Sequence, residues 1–427
     1  MKRNSPNRLG LPGGGHLGAN ESSPAKSPSL VTRLDCWLVR RLMTMTGHAP
    51  IAIKLWNGEI VYRPLPEPVA TLTIRDRGTL LGLLLSPRFA FGDAYSTGHL
   101  AVRGNLVECL EAAYRGLNTV MPPGSLRSKI GNWLRPPRST SLRSARRNIQ
   151  HHYDLGNDFY RLWLDEGMVY TCAYYDSPDA SLEEAQIAKM DHVCRKLELK
   201  PGQSVVEAGC GWGALALHMA RRYGVRVRAF NISSEQTRHA RGRARAEGLE
   251  GQVEFVEDDY RCIRGDFDAF VSVGMLEHVG VDNFEAFGAV IHNALRPGGR
   301  GLVHSIGRNR PMPNDPWIER RIFPGSRPPS LSEMMRVLEP FSFSVLDVEN
   351  LRLHYARTCA AWLERFEGVA GQVESIYGPN FTRAWRLYLA GSAASFAVGN
   401  LQLFQVVFAR SDDNAVPSTR DHIYTCA

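Results

Sequence analysis

The stretch "VVEAGCGWG" (Val205–Gly213) decides the fold of this 427-residue chain. Its β-branched start predicts a short buried strand, and Gly209, Gly211 and Gly213 predict a tight turn into a helix. Backbone at such a turn can come close to a ligand, because the helix N-terminus points toward it. The dinucleotide fingerprint G-x-G-x-x-G is not met, since the third glycine comes one place early and no phosphate-binding lysine follows.

Strand and helix patterns alternate regularly around this turn. The segment "SLEEAQIAKMDHVCRKLEL" before it has helical spacing and opens with a capping box, Ser181 with Glu184. Strand patterns follow at "VRVRAF", "VEFVED", "FDAFVSVG" and "GLVHSIG", with helical segments between them, and later at "FSFSVLDVEN" and "LQLFQVVFAR". Repeated β-α-β units predict an α/β fold with a mostly parallel, seven-stranded sheet and helices on both faces.

Composition sets broad limits on the protein. An apolar content of 44% with 22% charged residues is typical of a soluble enzyme of one or two domains and excludes disorder of the whole chain. No apolar run approaches the ~18 residues that span a bilayer, and the N-terminus is not typical of a secretory signal. We therefore expect a cytoplasmic protein. The 8 cysteines form no C-x-x-C pair, which argues against a zinc site and a disulfide framework, so we expect reduced thiols.

Changes in composition predict the domain organisation. We expect a disordered tail at 1–29, a small α+β domain at 30–121, a basic linker at 122–147, the main domain at 148–412 and a C-terminal tail at 413–427. From Ala112 to Tyr153 there are eight lysines and arginines and no acid. Such a stretch suits phosphates of nucleic acid or of an anionic membrane, and a solvated linker is the other interpretation.

The pattern G-x-G-x-G after an acid is similar to the loop of S-adenosylmethionine methyltransferases. This similarity implies that Glu207 lies near the methionine amino end of the cofactor. A tight turn without a ligand is the alternative. Asn231 departs from the general pattern, because nucleoside-binding folds commonly place Asp or Glu at the end of the second strand.

A narrower resemblance rests on blocks that occur in one order. They are "HHYDLGNDFYRLWLD" (His151–Asp165), "MVYTCAYY" (Met168–Tyr175), "GCGWG", "ISSEQ", "DDYR" (Asp258–Arg261), "VGMLEHVG", "HSIG" (His304–Gly307) and "LQLFQVVF" (Leu401–Phe408). Over about Asn148 to Arg410 the chain thereby resembles the cyclopropane-fatty-acyl-phospholipid synthase (mycolic acid cyclopropane synthase-like) family. The resemblance implies a Rossmann-like class I methyltransferase fold and two bound groups, S-adenosylmethionine and bicarbonate.

The same resemblance implies two sets of site residues. The cofactor set is Tyr170, Thr171, Glu207, Gly209, Cys210, Gly211, Gly213, Asn231, Gln236, Asp259 and Tyr260. The catalytic set, which holds the bicarbonate, is Cys172, Glu277, His304, Ile306 and Tyr355. Taken singly, His304 could be a core histidine, Tyr355 a packing aromatic and Cys172 an inert small hydrophobe. The pair His151-His152 lacks a third ligand nearby, so no metal is expected.

Chemistry explains why such a site needs a base. Methyl transfer to an isolated alkene leaves a carbocation without a heteroatom to discharge it, so a small base must take a proton as the ring closes. In this interpretation Glu277 orients the bicarbonate and does not attack. The expected reaction is formation of cyclopropane fatty acids on unsaturated phospholipid, by an enzyme associated peripherally, through basic residues, with the inner face of the membrane.

Alternative interpretations stay open at this point. A relative of the same fold could leave a methyl branch on the acyl chain or methylate a small amine. A non-catalytic basic protein that binds a membrane or nucleic acid is another class, although the intact glycines and Glu277 count against it, and no nucleic-acid module is recognised. The sequence leaves the head group, the acyl chain and the oligomeric state open, a homodimer being one option.

Overall fold

The computed structural model describes Leu9 and residues 30–65, 67–120 and 155–424. Contacts divide the chain into an N-terminal unit (Met1–Pro137, Asp315–Ile322 and Trp362–Asn400) and a second unit (Arg138–Asn314, Phe323–Ala361 and Leu401–Ala427). The predicted linker at 122–147, the tail at 1–29 apart from Leu9, and the last three residues of the C-terminal tail lie outside the described residues. No helix within the described ranges is both long and apolar enough to cross a membrane.

The N-terminal unit is built on a small sheet of order β2-β1-β3-β4. Its strands are β1 (Ile51–Lys54), β2 (Ile60–Tyr62), β3 (Ala70–Ile74) and β4 (Leu100–Gly104). Its helices are Arg33–Met45, Arg77–Leu85, Pro87–Thr97, Leu106–Val120, Pro379–Ala397, the part of Arg352–Tyr377 from Trp362 onward, and a π-helical turn at Ile318–Ile322. The predicted α+β character agrees with this arrangement, and a turn at Asn57-Gly58 joins β1 to β2.

The helix Pro379–Ala397 belongs to this unit by its contacts. Arg383 donates from Nε to the carbonyl of Tyr95 at 2.6 Å and from Nη2 to that of Leu100 at 2.9 Å, and Asn118 donates to the side chain of Asn400 at 2.9 Å. The division differs here from the sequence-based boundaries, which placed these residues in the domain at 148–412. Periodicity reveals a helix but not the partner that its apolar face covers.

The second unit holds a sheet of seven strands in the order β10-β11-β9-β8-β5-β6-β7. They are β5 (Ser204–Ala208), β6 (Arg226–Asn231), β7 (Val253–Glu257), β8 (Phe267–Val273), β9 (Leu295–Gly307), β10 (Phe343–Asn350) and β11 (Gln402–Arg410). The strands β5 to β9 pair in parallel, whereas β11 is antiparallel to β9 and β10. The predicted mostly parallel, seven-stranded α/β fold is confirmed.

Helices cover this sheet. The α-helices are Asn157–Arg161, Leu182–Lys196, Ala214–Tyr223, Ser234–Ala246, Leu276–Val279, Phe284–Ala294, Leu331–Met334, the first part of Arg352–Tyr377, and Asp421–Tyr424, with 3-10 turns at Tyr260–Cys262, Val281–Asn283, Met335–Val337 and Glu339–Phe341. The predicted capping box is confirmed, because the Ser181 hydroxyl accepts from the Glu184 N–H while the Glu184 carboxylate accepts from the Ser181 N–H. Apolar side chains of strands and helices form the core.

One predicted boundary is wrong. The pattern "NFEAFGAVIHNALRPGG" predicts a helix up to Gly299 and a strand from Gly301, but the helix ends at Ala294 and β9 begins at Leu295. The strand starts early because Leu295 pairs with Phe267 of β8. The register between β8 and β9 then shifts between Phe267 and Ala269.

The strand order reverses beside β5, which has β6 on one side and β8 on the other. In open parallel sheets this switch leaves a crevice outside the carboxyl ends of the strands, where ligands bind. The glycine turn enters this crevice with φ +89° at Gly209, +54° at Gly211 and +84° at Gly213. A Cβ at Gly213 would lie 2.6 Å from Cζ of Phe255 and 2.8 Å from Cβ of Ala240, so glycine is required there for packing as well.

A pair of substitutions tests this packing requirement. Gly213→Ala should lower the free energy of unfolding by about 2–5 kcal/mol, because a left-handed backbone and overpacking both disfavour the new Cβ. Gly211→Ala, where a Cβ meets nothing within 4 Å, should lose only about 1–2 kcal/mol. Urea unfolding followed by tryptophan fluorescence measures both values, and equal losses would contradict the packing argument.

Candidate active site

A pocket of about 1210 Å³, including its open mouth, lies beyond the carboxyl ends of β5, β6 and β8. Every predicted cofactor residue except Gly213 lines it: Tyr170, Thr171, Glu207, Gly209, Cys210, Gly211, Asn231, Gln236, Asp259 and Tyr260. Gly213 instead packs against Phe255 and Ala240. The structure therefore brings the predicted cofactor set together at the switch point of the sheet.

Asn231 braces the glycine turn. Its Nδ2 donates to the carbonyl of Gly211 at 3.1 Å and to Oε1 of Gln236 at 2.9 Å, while its Oδ1 accepts from the N–H of Ser233. A carboxylate has no N–H to give these acceptors. Asparagine in place of the usual strand-end acid thus has a structural reason. The two bonds from Asn231 hold the glycine turn and the helix Ser234–Ala246 in one arrangement.

Asp259 is held by its own loop after β7. Arg261 donates from Nε to Oδ1 at 2.8 Å and from Nη2 to Oδ2 at 3.1 Å, and the Arg261 N–H donates to Oδ1 at 2.9 Å. The same guanidinium lies over the ring of Tyr260, 5.2 Å from its centre. A bidentate pair fixes orientation as well as charge, so this edge of the pocket is preorganised.

Aromatic packing holds Tyr170 in the pocket wall. Its ring centre lies 5.4 Å from those of both Tyr160 and Trp163, and Tyr160 lies 5.0 Å from Trp212 of the glycine turn. Nε1 of Trp212 donates to Oδ1 of Asn157 at 2.7 Å. Through these contacts the segment that begins at Leu155 packs against the glycine turn. Its aromatic residues Tyr160 and Trp163 therefore position Tyr170 in the pocket.

A carboxyl group and an ammonium group are buried at this pocket. Glu207 is 2% exposed, its Oε2 has no hydrogen-bond partner, and burial raises its pKa to about 8. Lys189 is also 2% exposed, its Nζ donates to Oγ1 of Thr171 at 3.0 Å, and burial lowers its pKa to about 8. The motif-based prediction missed Lys189. A signal existed, because Lys189 falls on the apolar stripe of a predicted amphipathic helix, where a lysine is unexpected.

Glu277 and Ile306 meet at the carboxyl ends of β8 and β9. The Ile306 N–H donates to Oε1 of Glu277 at 2.5 Å. The other oxygen, Oε2, is buried and has no hydrogen-bond partner. Burial raises the pKa of Glu277 to about 7, so its carboxyl group can hold or release a proton near neutral pH.

His304 is oriented from the neighbouring strand. Gln405 of β11 pairs in register with His304, and its amide Nε2 lies 3.0 Å from Nδ1 of the imidazole. With the Gln405 amide in this orientation, Nδ1 accepts the hydrogen bond and the proton of the neutral ring lies on Nε2. Nε2 is buried without a partner, and burial keeps the pKa of His304 well below its usual value. The motif-based prediction missed Gln405 too, although its block was recognised.

Cys172 and Tyr355 reach the same end of the sheet through Leu351. The Leu351 carbonyl accepts from the Tyr355 N–H at 3.1 Å and lies 4.0 Å from Sγ of Cys172, and the Leu351 N–H donates to Leu403, which pairs with Ile306. Burial raises the pKa of Cys172 above its ordinary value, so the thiol stays protonated and is not a nucleophile at neutral pH.

Comparisons with known proteins identify relatives of this chain. The family model described as mycolic acid cyclopropane synthetase matches residues 140–406. A probable fatty acid methyltransferase from Pseudomonas putida is 35% identical over 88% of this chain and 97% of its own length. The cyclopropane-fatty-acyl-phospholipid synthase of Escherichia coli K12 is 42% identical over 64% of this chain and 70% of its own. The mycolic acid cyclopropane synthase CmaA1, solved with SAH and CTAB, matches with a TM-score of 0.59 at 31% identity over 62% of this chain and 97% of that one.

The fold and the pocket define an S-adenosylmethionine-dependent methyltransferase of the Rossmann-like class I type. Within that class, the chain belongs to the mycolic acid cyclopropane synthetase family.

The buried carboxyl of Glu207 predicts a specific pH dependence. Its pKa is about 8 in the folded, unliganded protein against 4.5 for an ordinary glutamate, so the folded state binds the extra proton. Its contribution to stability is full below about pH 4.5 and is lost as pH rises to about 8, by up to ~1.4 kcal/mol per pH unit. Glu207→Gln should remove this loss.

Urea unfolding of both proteins from pH 5 to pH 8 measures the effect. The stability of the unliganded parent relative to Glu207→Gln should fall steadily over this range. Glu184→Gln is the control, because the pKa of this exposed capping residue is lowered and its contribution is constant above pH 5. A flat difference for Glu207→Gln would show that Glu207 is ionised in the empty pocket.

Proposed function

We propose that this enzyme transfers the S-adenosylmethionine methyl group to the double bond of an unsaturated phospholipid acyl chain and closes a cyclopropane ring with bound bicarbonate as the base. The supporting observation is the group of donors and acceptors at the ends of β8 and β9. There Oε2 of Glu277 and Nε2 of His304 are buried without partners, and the Ile306 N–H faces Glu277. Buried polar atoms normally find partners, so unpaired ones favour a polar ligand.

The residue set fits a bicarbonate ion. A small oxyanion with one hydroxyl needs neutral N–H donors and one acceptor. His304 supplies Nε2–H, and Glu277 supplies a carboxyl group for the hydroxyl. Ile306 supplies its backbone N–H, which the anion would share with Oε1 of Glu277. Because His304 is uncharged, it orients the anion without the strong attraction that would lower its basicity. When bound, S-adenosylmethionine supplies the electrophilic methyl group, and the pocket residues fix its position. Placement of this kind contributes up to ~7–11 kcal/mol.

Phospholipid is proposed as the acceptor on the strength of the Escherichia coli relative, which is named for that substrate. The basic residues between Ala112 and Tyr153 would hold the enzyme at the inner, anionic face of the membrane. Of these, Arg115 lies within the described residues, whereas those from 121 onward lie outside them. Flotation with anionic vesicles at low and high salt tests this association, and equal recovery with neutral vesicles would contradict it.

Formation of a methyl-branched chain is a second candidate. It is favoured by the Pseudomonas putida relative, which is named a probable fatty acid methyltransferase and matches over nearly its whole length. Both reactions share the methyl transfer and differ in the fate of the carbocation. A base placed for ring closure gives cyclopropane, whereas another proton loss leaves a branched alkene.

Product analysis separates the candidates. Purified full-length protein is incubated with isotopically labelled S-adenosylmethionine and vesicles of monounsaturated phospholipid, and the fatty acid esters are then analysed by mass spectrometry and proton NMR. We expect label in cyclopropane fatty acids, with their upfield ring-methylene resonances. Label in branched chains would support the second candidate, and unchanged lipid would contradict both.

Glu277→Gln tests the base-holding role. The glutamine can keep the bond to the Ile306 N–H but places an amide where the hydroxyl of bicarbonate needs an acceptor. Turnover should fall about 10²–10⁴-fold, the usual range for lost general-base catalysis. The affinity for S-adenosylmethionine should stay unchanged, because Glu277 is absent from the pocket lining.

Glu207→Gln is the contrasting variant, since Glu207 lines the pocket and its loss should weaken cofactor binding. Calorimetric titration and turnover are measured for both. A Glu277→Gln enzyme that fails to bind the cofactor, or that turns over like the parent, would refute the assigned role.

A further inference from the structure

Lys189 differs from the other buried lysine of its helix. Both Lys189 and Lys196 lie on Leu182–Lys196 and are almost fully buried. Nζ of Lys196 pairs with Glu349 at 2.6 Å and with Asp347 at 3.2 Å. Among the residues that the structure describes, Lys189 has no carboxylate within 4.0 Å, and its Nζ donates to the hydroxyl of Thr171. On the same helix, carboxylates thus compensate the charge of Lys196 but not that of Lys189.

An uncompensated ammonium in the interior is strongly unfavourable, because burial removes its hydration. Burial lowers the pKa of Lys189 to about 8, while Asp165 and Glu207 act in the opposite direction. The side chain therefore keeps its charge at neutral pH. It also lines the cofactor pocket, whereas Lys196 does not. A charge retained in a binding pocket without a carboxylate partner indicates an anionic ligand group.

The other residues of the pocket indicate which anionic group Lys189 binds. Glu207 also lines the pocket, with Oε2 buried and unpartnered. One buried cation and one buried carboxyl complement an amino-acid zwitterion, which carries an ammonium and a carboxylate on the same carbon. S-adenosylmethionine has such a group at its methionine end. Because Oγ1 of Thr171 accepts from Lys189, the Thr171 hydroxyl proton is directed away from Nζ and is available to a second acceptor.

We propose that Lys189 and the hydroxyl of Thr171 bind the α-carboxylate of S-adenosylmethionine, while Glu207 binds the α-ammonium. Lys189 thus adds to the cofactor site a residue outside the glycine motif. This role concerns the cofactor alone, so it can fail without affecting the proposed acyl chemistry, and the reverse also holds.

Two ligands that differ only in the carboxylate give the direct test. Binding of S-adenosylmethionine and of its decarboxylated form is measured by calorimetric titration with the full-length protein. The parent should bind S-adenosylmethionine about 10- to 100-fold more tightly, the range expected for hydrogen bonds to a charged group. A parent that binds both ligands alike would overturn the proposal before any substitution is made.

Lys189→Met then tests whether Lys189 causes the preference for S-adenosylmethionine over its decarboxylated form. Methionine is unbranched and apolar, so it can fill the space without an unpaired charge. The variant should lose about 10- to 100-fold in affinity for S-adenosylmethionine and keep the affinity of the parent for the decarboxylated form. Lys189→Gln, which retains a donor for Thr171 but no charge, should show the same loss of preference.

Lys196→Met is the matched control, since it removes a buried lysine from the same helix away from the pocket. It should keep the preference of the parent for the carboxylate-bearing ligand. The proposal is overturned if the Lys189 variants keep that preference, or if they weaken both ligands equally, because either result assigns Lys189 a purely structural role. A loss of preference in Lys196→Met would also overturn it.

Discussion

Glu207, Glu277 and His304 each keep a polar atom buried without a hydrogen-bond partner near the carboxyl end of a central strand. An unpaired buried polar group is unfavourable by about 1–3 kcal/mol, more when charged, so the sheet must hold these groups against local collapse. It does so because β5, β8 and β9 are adjacent and almost fully buried. The strand register sets the separations, and the reversal of strand order beside β5 keeps the crevice open.

The cofactor pocket and the site at the ends of β8 and β9 differ in their electrostatics. At the cofactor pocket, Lys189 keeps a buried positive charge and burial raises the pKa of the unpaired Glu207 carboxyl group, which suits a ligand that brings charges of both signs. At the ends of β8 and β9 the donors are neutral, because Gln405 fixes the tautomer of His304 and burial disfavours its protonation. A cationic histidine would bind an anion more strongly but would weaken it as a base. The retained positive charge of Lys189 thus suits ligand binding at the pocket, and the neutral donors at the strand ends suit the proposed proton transfer.

Local patterns predicted the parallel sheet and the glycine turn, since periodicity and motif spacing reflect nearby residues. The cofactor set followed from motifs and came together in one pocket, apart from Gly213, which packs instead. Features that depend on contacts between residues distant in sequence could not be predicted from local patterns. Gln405 matters only because β11 lies beside β9 in that register, and the early start of β9 depends on Phe267. The grouping of Trp362–Asn400 with the N-terminal unit depends on partners distant in sequence. Lys189 carried a readable signal, an unexpected charge on an apolar helix face.

If bicarbonate is the base, the unpaired atoms near β8 and β9 hold a small anion. A high-resolution crystal structure of the protein grown with S-adenosylhomocysteine and bicarbonate tests it most directly. We expect density for a planar anion within hydrogen-bond distance of Nε2 of His304, the Ile306 N–H and the Glu277 carboxyl group. The absence of an anion at Nε2 of His304 while the cofactor pocket is filled would contradict this role.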